Sequence, residues 1–201
     1  KTNLNHLRKQ MFNEVLDNYD KNKDVNVYFI ECPTGAGKTN ISSALTTKII
    51  SDKDIKKVFY VFPFNKLSEQ TEHSLINTYH LNDNEIATLS CNSYKEIISD
   101  DDEISDKENL MNDTFMNYPI LLMSHVRFFD IIKSNRKSAM YHIHQLANSI
   151  VIIDEIQAYN PVLWSKIVYF INKYAELFNI KFIIMSATLP KIDKLLKDNT
   201  D

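Results

Sequence analysis

The chain has 201 residues, 44% of them hydrophobic and 24% charged, with a formal net charge of −3. That length suits one domain with a full apolar core, and no apolar run approaches the ~18 residues needed to cross a bilayer, so a soluble protein with no membrane partner is expected. The acidic balance gives no support to whole-surface attraction for nucleic acid, so any such contact must be local. The two cysteines, Cys32 and Cys91, are isolated from each other and lack the paired spacing of a disulfide framework or a zinc site, which points to a reducing cytoplasm.

Leu4, Leu7, Met11 and Val15, with Phe12 and Leu16 beside them, repeat at helical spacing and predict an amphipathic helix over 3–18, broken by the polar stretch 18–24. Residues 25–30 are apolar, β-branched and aromatic, and predict a strand running into Pro33-Thr34-Gly35-Ala36-Gly37-Lys38-Thr39 and then a helix over 38–50. A second strand is expected over 58–62, ended by Pro63, followed by a helix over 65–79 and a weaker strand over 86–89. Residues 96–113 carry Asp100-Asp101-Asp102-Glu103 with Asp106 and Glu108 and little apolar periodicity. A solvated acidic insertion outweighs a tether or a metal site there. Further apolar runs at 120–123, 150–153 and 182–185 each adjoin a helix-length segment. Short apolar strands alternating with helices predict an α/β, doubly wound domain: a mostly parallel central sheet with helices on both faces and ligands at the carboxyl ends of its strands. The chain starts at Lys1 without an initiator methionine and reads as a piece of a longer protein.

Gly35 and Gly37 are the only two glycines, where average usage of about 7% would give about fourteen. Their concentration in one strand–loop–helix junction implies a backbone that must approach an anion closely. In such a loop Thr34, Gly35, Ala36, Gly37, Lys38 and Thr39 surround the phosphates of ATP with backbone N–H groups. Lys38 adds a point charge and Thr39 a hydroxyl for Mg²⁺. Cys32 stands where G-x-x-x-x-G-K-[ST] has its first glycine, which suits helicase-type loops better than kinase-type ones. It reads as a small buried spacer, not a reactive thiol. The run Val151-Ile152-Ile153 delivers Asp154 and Glu155 at a strand end. Asp154 is placed to hold Mg²⁺ through its water shell, and Glu155 to orient and deprotonate the attacking water. Alone, an Asp-Glu pair after a strand is as often a helix cap; the phosphate loop upstream gives it specificity. After the third run, the short hydroxyls of Ser186 and Thr188 are candidates to bond Gln157 and link the state of the γ-phosphate to a second lobe.

Together these residues resemble superfamily 2 helicases, with motif I at 33–39, motif II at 154–157 and motif III at 186–188. The likeness implies a RecA-like P-loop lobe with Lys38, Asp154, Glu155 and Gln157 in its catalytic set. The chain is further similar to the type I CRISPR-associated helicase-nuclease. Asn5-His6-Leu7-Arg8 resembles that family's entry helix, residues 60–70 its motif Ia, 119–129 its motif Ib segment and 185–190 its motif III ending. This implies ATP-dependent translocation on single-stranded DNA, with Pro63, Phe64, Asn65, Ser124 and His125 along the strand's track and Arg8 or Gln10 against adenine. It also implies partners: a second RecA-like lobe and a nuclease domain of the same protein, and an RNA-guided surveillance complex. Phe64 and Phe128 read as core more than as stacking platforms, and His142 and His144 as helix surface, not a metal site.

None of the six histidines precedes an aspartate, so the His-Asp metal pair of the family's nuclease is not among these residues. The second lobe's arginine finger is also missing, which typically costs ~10³–10⁵ in rate, so these residues alone are expected to bind ATP far better than they hydrolyse it. Three rival readings stand beside this one. Another superfamily 2 motor, such as a restriction-type translocase, would carry the same ATPase motifs. A small-molecule kinase needs no Ser-Ala-Thr exit, and an idle interaction lobe fits poorly with intact Lys38, Asp154 and Glu155.

Overall fold

The computed structural model describes residues 2–33, 35–63, 66–82, 84–89, 116–133, 137–158 and 164–187. The first half runs α1 (Thr2–Lys21), β1 (Val27–Glu31), α2 (Lys38–Asp52), β2 (Lys57–Phe62), α3 (Lys66–Tyr79) and β3 (Ile86–Leu89). Then follow β4 (Ile120–Ser124), α4 (His125–Lys133), α5 (Lys137–Leu146), β5 (Ser149–Ile153), a 3₁₀ turn (Ile156–Ala158), α6 (Trp164–Phe178) and β6 (Lys181–Ser186). Each apolar run in the sequence is a strand, with ends within two residues of those predicted. The acidic stretch 96–113 and Cys91 lie outside the described residues. No helix among the described residues is long and apolar enough to cross a membrane.

The chain divides into two compact units, Lys1–Ile55 with Ile150–Asp201, and Lys56–Ser149. In the first, β6 lies between β1 and β5, parallel to both, with Val27 opposite Phe182 and Ile150 opposite Lys181. Every residue of β5 and β6 is buried, as continuous apolar runs in a parallel sheet require. Helix α6 packs on β1 and β6, and α1 packs on α2. Helix α1 continues beyond residue 18 because its last turn is pinned: Tyr19 is buried, and Asn22 closes the end, its N–H donating to the Tyr19 carbonyl (2.9 Å) and its Nδ2 to that of Asn18 (2.9 Å). Ion pairs tie this end to α2, Lys23 to Asp52 at 2.6 Å and Lys48 to Asp20 at 3.2 Å.

Strand β6 begins one residue before its apolar run, on a buried lysine. The Lys181 ammonium donates to the carbonyl of Val25 (2.8 Å) and to Asn26 Oδ1 (2.7 Å), in the turn that precedes β1. Burial pushes its pKa below the ordinary lysine value.

In the second unit β4 lies between β2 and β3, again parallel to both. Helix α3 packs on β3 and β4, α4 on β4 and β2, and α5 on α4. Phe128 is fully buried, a core residue as its type suggested. His142 is a correction: it is buried with Leu146, four residues on, along the inner face of α5, whereas Tyr141 and His144 face out. The alternation of the two histidines across a helix face, not their nearness in sequence, decides their exposure.

Candidate nucleotide site

The register of the first unit brings three strand exits together. Glu31 ends β1 opposite Ser186, the end of β6, and Ile153 ends β5 opposite Ile184. The Cys32 N–H then donates to the Ser186 carbonyl at 3.1 Å, carrying the pairing one residue past the sheet. The loop after β1, the acids after β5 and the hydroxyl at the end of β6 therefore share one edge, at the carboxyl ends where parallel sheets gather ligands. Cys32 is buried, and burial raises its thiol pKa against the opposing charge of Lys38, so it is a spacer and not a nucleophile.

The phosphate loop turns twice through the left-handed region. Ala36 donates its N–H to the Pro33 carbonyl (3.1 Å), and its neighbour Gly35 has φ +79°. Gly37, at φ +90°, sits at the N-cap of α2. A Cβ at either position would meet nothing within 4 Å. The glycines are thus required for their backbone conformation, not by a crowding neighbour, and the loop stays open along that side. Thr34 lies outside the described residues. Thr39 follows Lys38 in the first turn of α2, half-buried.

From this loop a chain of polar contacts crosses the site. The Lys38 ammonium pairs with Glu155 Oε1, and Gln157 Nε2 donates to Glu155 Oε2. Ser186 Oγ donates to Gln157 Oε1 at 2.5 Å. Each side chain between the ends uses one atom on each neighbour, so phosphate loop and β6 are joined through two intermediates. Glu155 itself has φ +50°, a conformation that costs a side-chain-bearing residue of order 1 kcal/mol or more and recurs at functional positions. It is held there by bonds on both sides: its N–H donates to Asp154 Oδ1 (2.9 Å), and its carbonyl accepts from Ala158 (2.9 Å). Burial raises the pKa of Asp154, and the charge of Glu155 adds to this while Lys38 and the Glu155 N–H oppose it. Thr188 lies outside the described residues.

Helix α1 supplies a contact that sequence reasoning did not place. Arg8 donates from Nη2 (2.7 Å) and Nε (3.2 Å) to the Gly35 carbonyl, and from Nη1 to Asn5 Oδ1 (3.5 Å). The spacing of Asn5 and Arg8 by three residues was a visible signal for their pairing on a helix. Nothing local marks Gly35, 27 residues on, as the acceptor. Gln10 is exposed on the same helix.

The nucleic-acid candidates fall in the second unit. Phe62 and Ser124 are register partners, so Pro63 and His125 leave adjacent strand ends. Ser124 and His125 are buried, and Ser124 Oγ accepts the Arg127 N–H at 3.3 Å as the N-cap of α4. Phe64 and Asn65 lie outside the described residues.

A family model for the DEAD/DEAH box helicases matches residues 6–195, which takes in the phosphate loop, the acid pair and Ser186. The chain belongs to the DEAD/DEAH box helicase family. The matched span of this helicase domain includes Asp154-Glu155-Ile156-Gln157. No curated protein matches it in sequence. Among solved structures it is similar to T. fusca Cas3 with ADP, at a TM-score of 0.67 and 17% identity over 85% of this chain and 20% of that one. It is also similar to the Sulfolobus solfataricus SWI2/SNF2 ATPase core in complex with dsDNA (TM-score 0.56, 17% identity, 93% of this chain and 33% of that one). A third is the Pyrococcus furiosus Hef helicase domain (TM-score 0.56, 16% identity, 92% and 36%). At these identities the likeness is one of fold, that of a RecA-like α/β helicase lobe. The helicase domain spans between a fifth and about a third of the length of these structures.

Proposed function

We infer that this chain is the ATP-binding first lobe of a motor that hydrolyses ATP to move along single-stranded DNA, in the interference step of a type I CRISPR system. The observation that carries the ATPase part is the contact chain from Lys38 through Glu155 and Gln157 to Ser186. Its donor set suits a nucleotide: positive-φ glycines with an open face, an ammonium and a carboxylate pair. Thr39 and Asp154 are the residues to hold Mg²⁺, which when bound neutralises charge on the phosphates. Lys38 exchanges its carboxylate partner for phosphate oxygens, and the released Glu155 is the base that accepts a proton from the attacking water. Gln157 then reports that change to Ser186, and Thr188 is the second hydroxyl proposed for the same link. Arg8, which reaches the loop, and Gln10, on the same helix, are the proposed contacts to adenine.

The CRISPR branch is supported by the sequence at Asn5-His6-Leu7-Arg8, 60–70 and 119–129, and by a fold similar to that of T. fusca Cas3. For the strand itself, Pro63, Phe64, Asn65, Ser124 and His125 are the proposed contacts. Because Ser124 and His125 are buried at the start of α4, the backbone amides of that helix end are the donors that best suit a phosphate. A second lobe, a nuclease domain and an RNA-guided complex complete the proposed assembly. The fold of the SWI2/SNF2 core, a complex with dsDNA by its description, favours as second reading another superfamily 2 DNA translocase.

Phosphate release by the longer protein, with and without single-stranded DNA, tests the reading. Turnover should depend on DNA and fall by about 10²–10⁴ in Glu155→Gln and to background in Lys38→Ala. Unchanged turnover in Glu155→Gln would remove the base from the scheme. Equal stimulation by duplex DNA alone would favour the second reading.

A further inference from the structure

Two hydrogen bonds join Arg8 to the phosphate loop, and neither proton transfer nor base recognition calls for them. The Gly35 carbonyl that accepts them belongs to the same planar peptide as the Ala36 N–H, and in a trans peptide these two groups point in opposite directions. One edge of that peptide is held by Arg8 and the other by the Pro33 carbonyl at 3.1 Å. Rotation of the peptide breaks both. Such a rotation turns ψ of Gly35 and φ of Ala36, and glycine, having no Cβ, resists its share of that change least. Loop N–H groups are what a phosphate binds, and donors already aimed bind more tightly than donors that must first be ordered.

Arg8 is well suited to this task. Its Nε and Nη2 engage the carbonyl as a fork, and its Nη1 turns to Asn5, so all three nitrogens face protein acceptors. The helix that carries it is seated at its far end by buried Tyr19 and by the Lys23–Asp52 and Asp20–Lys48 pairs. The geometry points to Arg8 as a positioning residue for the phosphates: it holds the Gly35–Ala36 peptide, and with it the turn that the Ala36 N–H closes on Pro33, so that the N–H groups after Ala36 are presented in one arrangement whatever base the nucleotide carries. This rests on the nucleotide-site reading and refines the adenine contact expected of Arg8.

The test uses the longer protein and three ligands, ATP, GTP and inorganic tripolyphosphate, the last having no base, with affinities measured by calorimetry. Arg8→Ala should weaken all three by the same factor, about tenfold, with the ATP to GTP ratio unchanged. The KM for ATP should rise by the factor by which affinity falls, about tenfold, as for a lost binding contact. Arg8→Lys should recover part of the loss, one donor replacing two, and a thermal midpoint equal to the parent's shows that each variant folds. A loss confined to ATP, with tripolyphosphate unaffected, would make Arg8 a base reader and overturn the proposal, as would unchanged affinity for all three. Lys38→Ala is the separate control: if it leaves tripolyphosphate binding intact, the loop is no phosphate site and the underlying reading fails.

Discussion

Asp154 shows how one carboxyl is set between two demands. Its pKa is raised chiefly by burial, so in the folded state it holds its proton to a higher pH than in the unfolded chain. A raised acid favours folding most below the ordinary carboxylate range, and that advantage is lost as pH rises through the shifted value. At neutral pH an ionised Asp154 therefore lowers stability when no metal ion faces it, since burial outweighs the opposing charge of Lys38. Asp154→Asn keeps an oxygen for the Glu155 N–H and removes the charge. The nucleotide-free variant is expected to melt above the parent at pH 7, with the gap closing as pH falls below the usual carboxylate range. Thermal melts across that interval check this; a gap that widens toward acid would contradict the sign.

At the scale of elements, the strands were plain in the sequence because each carries a continuous apolar run, and β5 and β6 are buried along their whole length. What escaped was polar. Lys181 heads β6 although a lysine reads as a surface residue, because its carbonyl partners in the turn at Val25 and Asn26 are more than 150 residues away. The grip of Arg8 on Gly35 was hidden for the same reason, as pairwise chemistry between distant positions leaves no local period. By contrast, Lys38, Asp154, Glu155, Gln157 and Ser186 could be picked out because each follows or ends a strand, and strand ends are what periodicity locates. Ser124 shows a second kind of ambiguity. A serine at a strand exit suits both a phosphate contact and a helix cap, and its hydroxyl is occupied as a cap. Ser124→Ala should therefore cost about 1 kcal/mol of unfolding free energy in denaturant titration, whatever it does to DNA binding. A change within error would show that the 3.3 Å bond caps nothing.

At the scale of the molecule, the catalytic candidates described here all come from one unit, and in the proposed assembly a second lobe adds the cation that opposes charge on the far side of a phosphate. The 201 residues alone are expected to bind ATP with an affinity near that of the longer protein. They should hydrolyse it ~10³–10⁵ more slowly, as for phosphoryl-transfer sites without their arginine finger. Calorimetry and single-turnover hydrolysis on both proteins compare the two quantities, and equal rates would place all the required cations within this chain. Strand β6 has two very different ends, Ser186 facing Gln157 and Lys181 clasped by the turn before β1. At ~3.3 Å per residue these ends are roughly 17 Å apart. Pairing with β1 and β5 holds the strand between those ends, and the buried ammonium ties its start to the turn before β1, so the strand is a fixed beam with a sensor at one end and an anchor at the other.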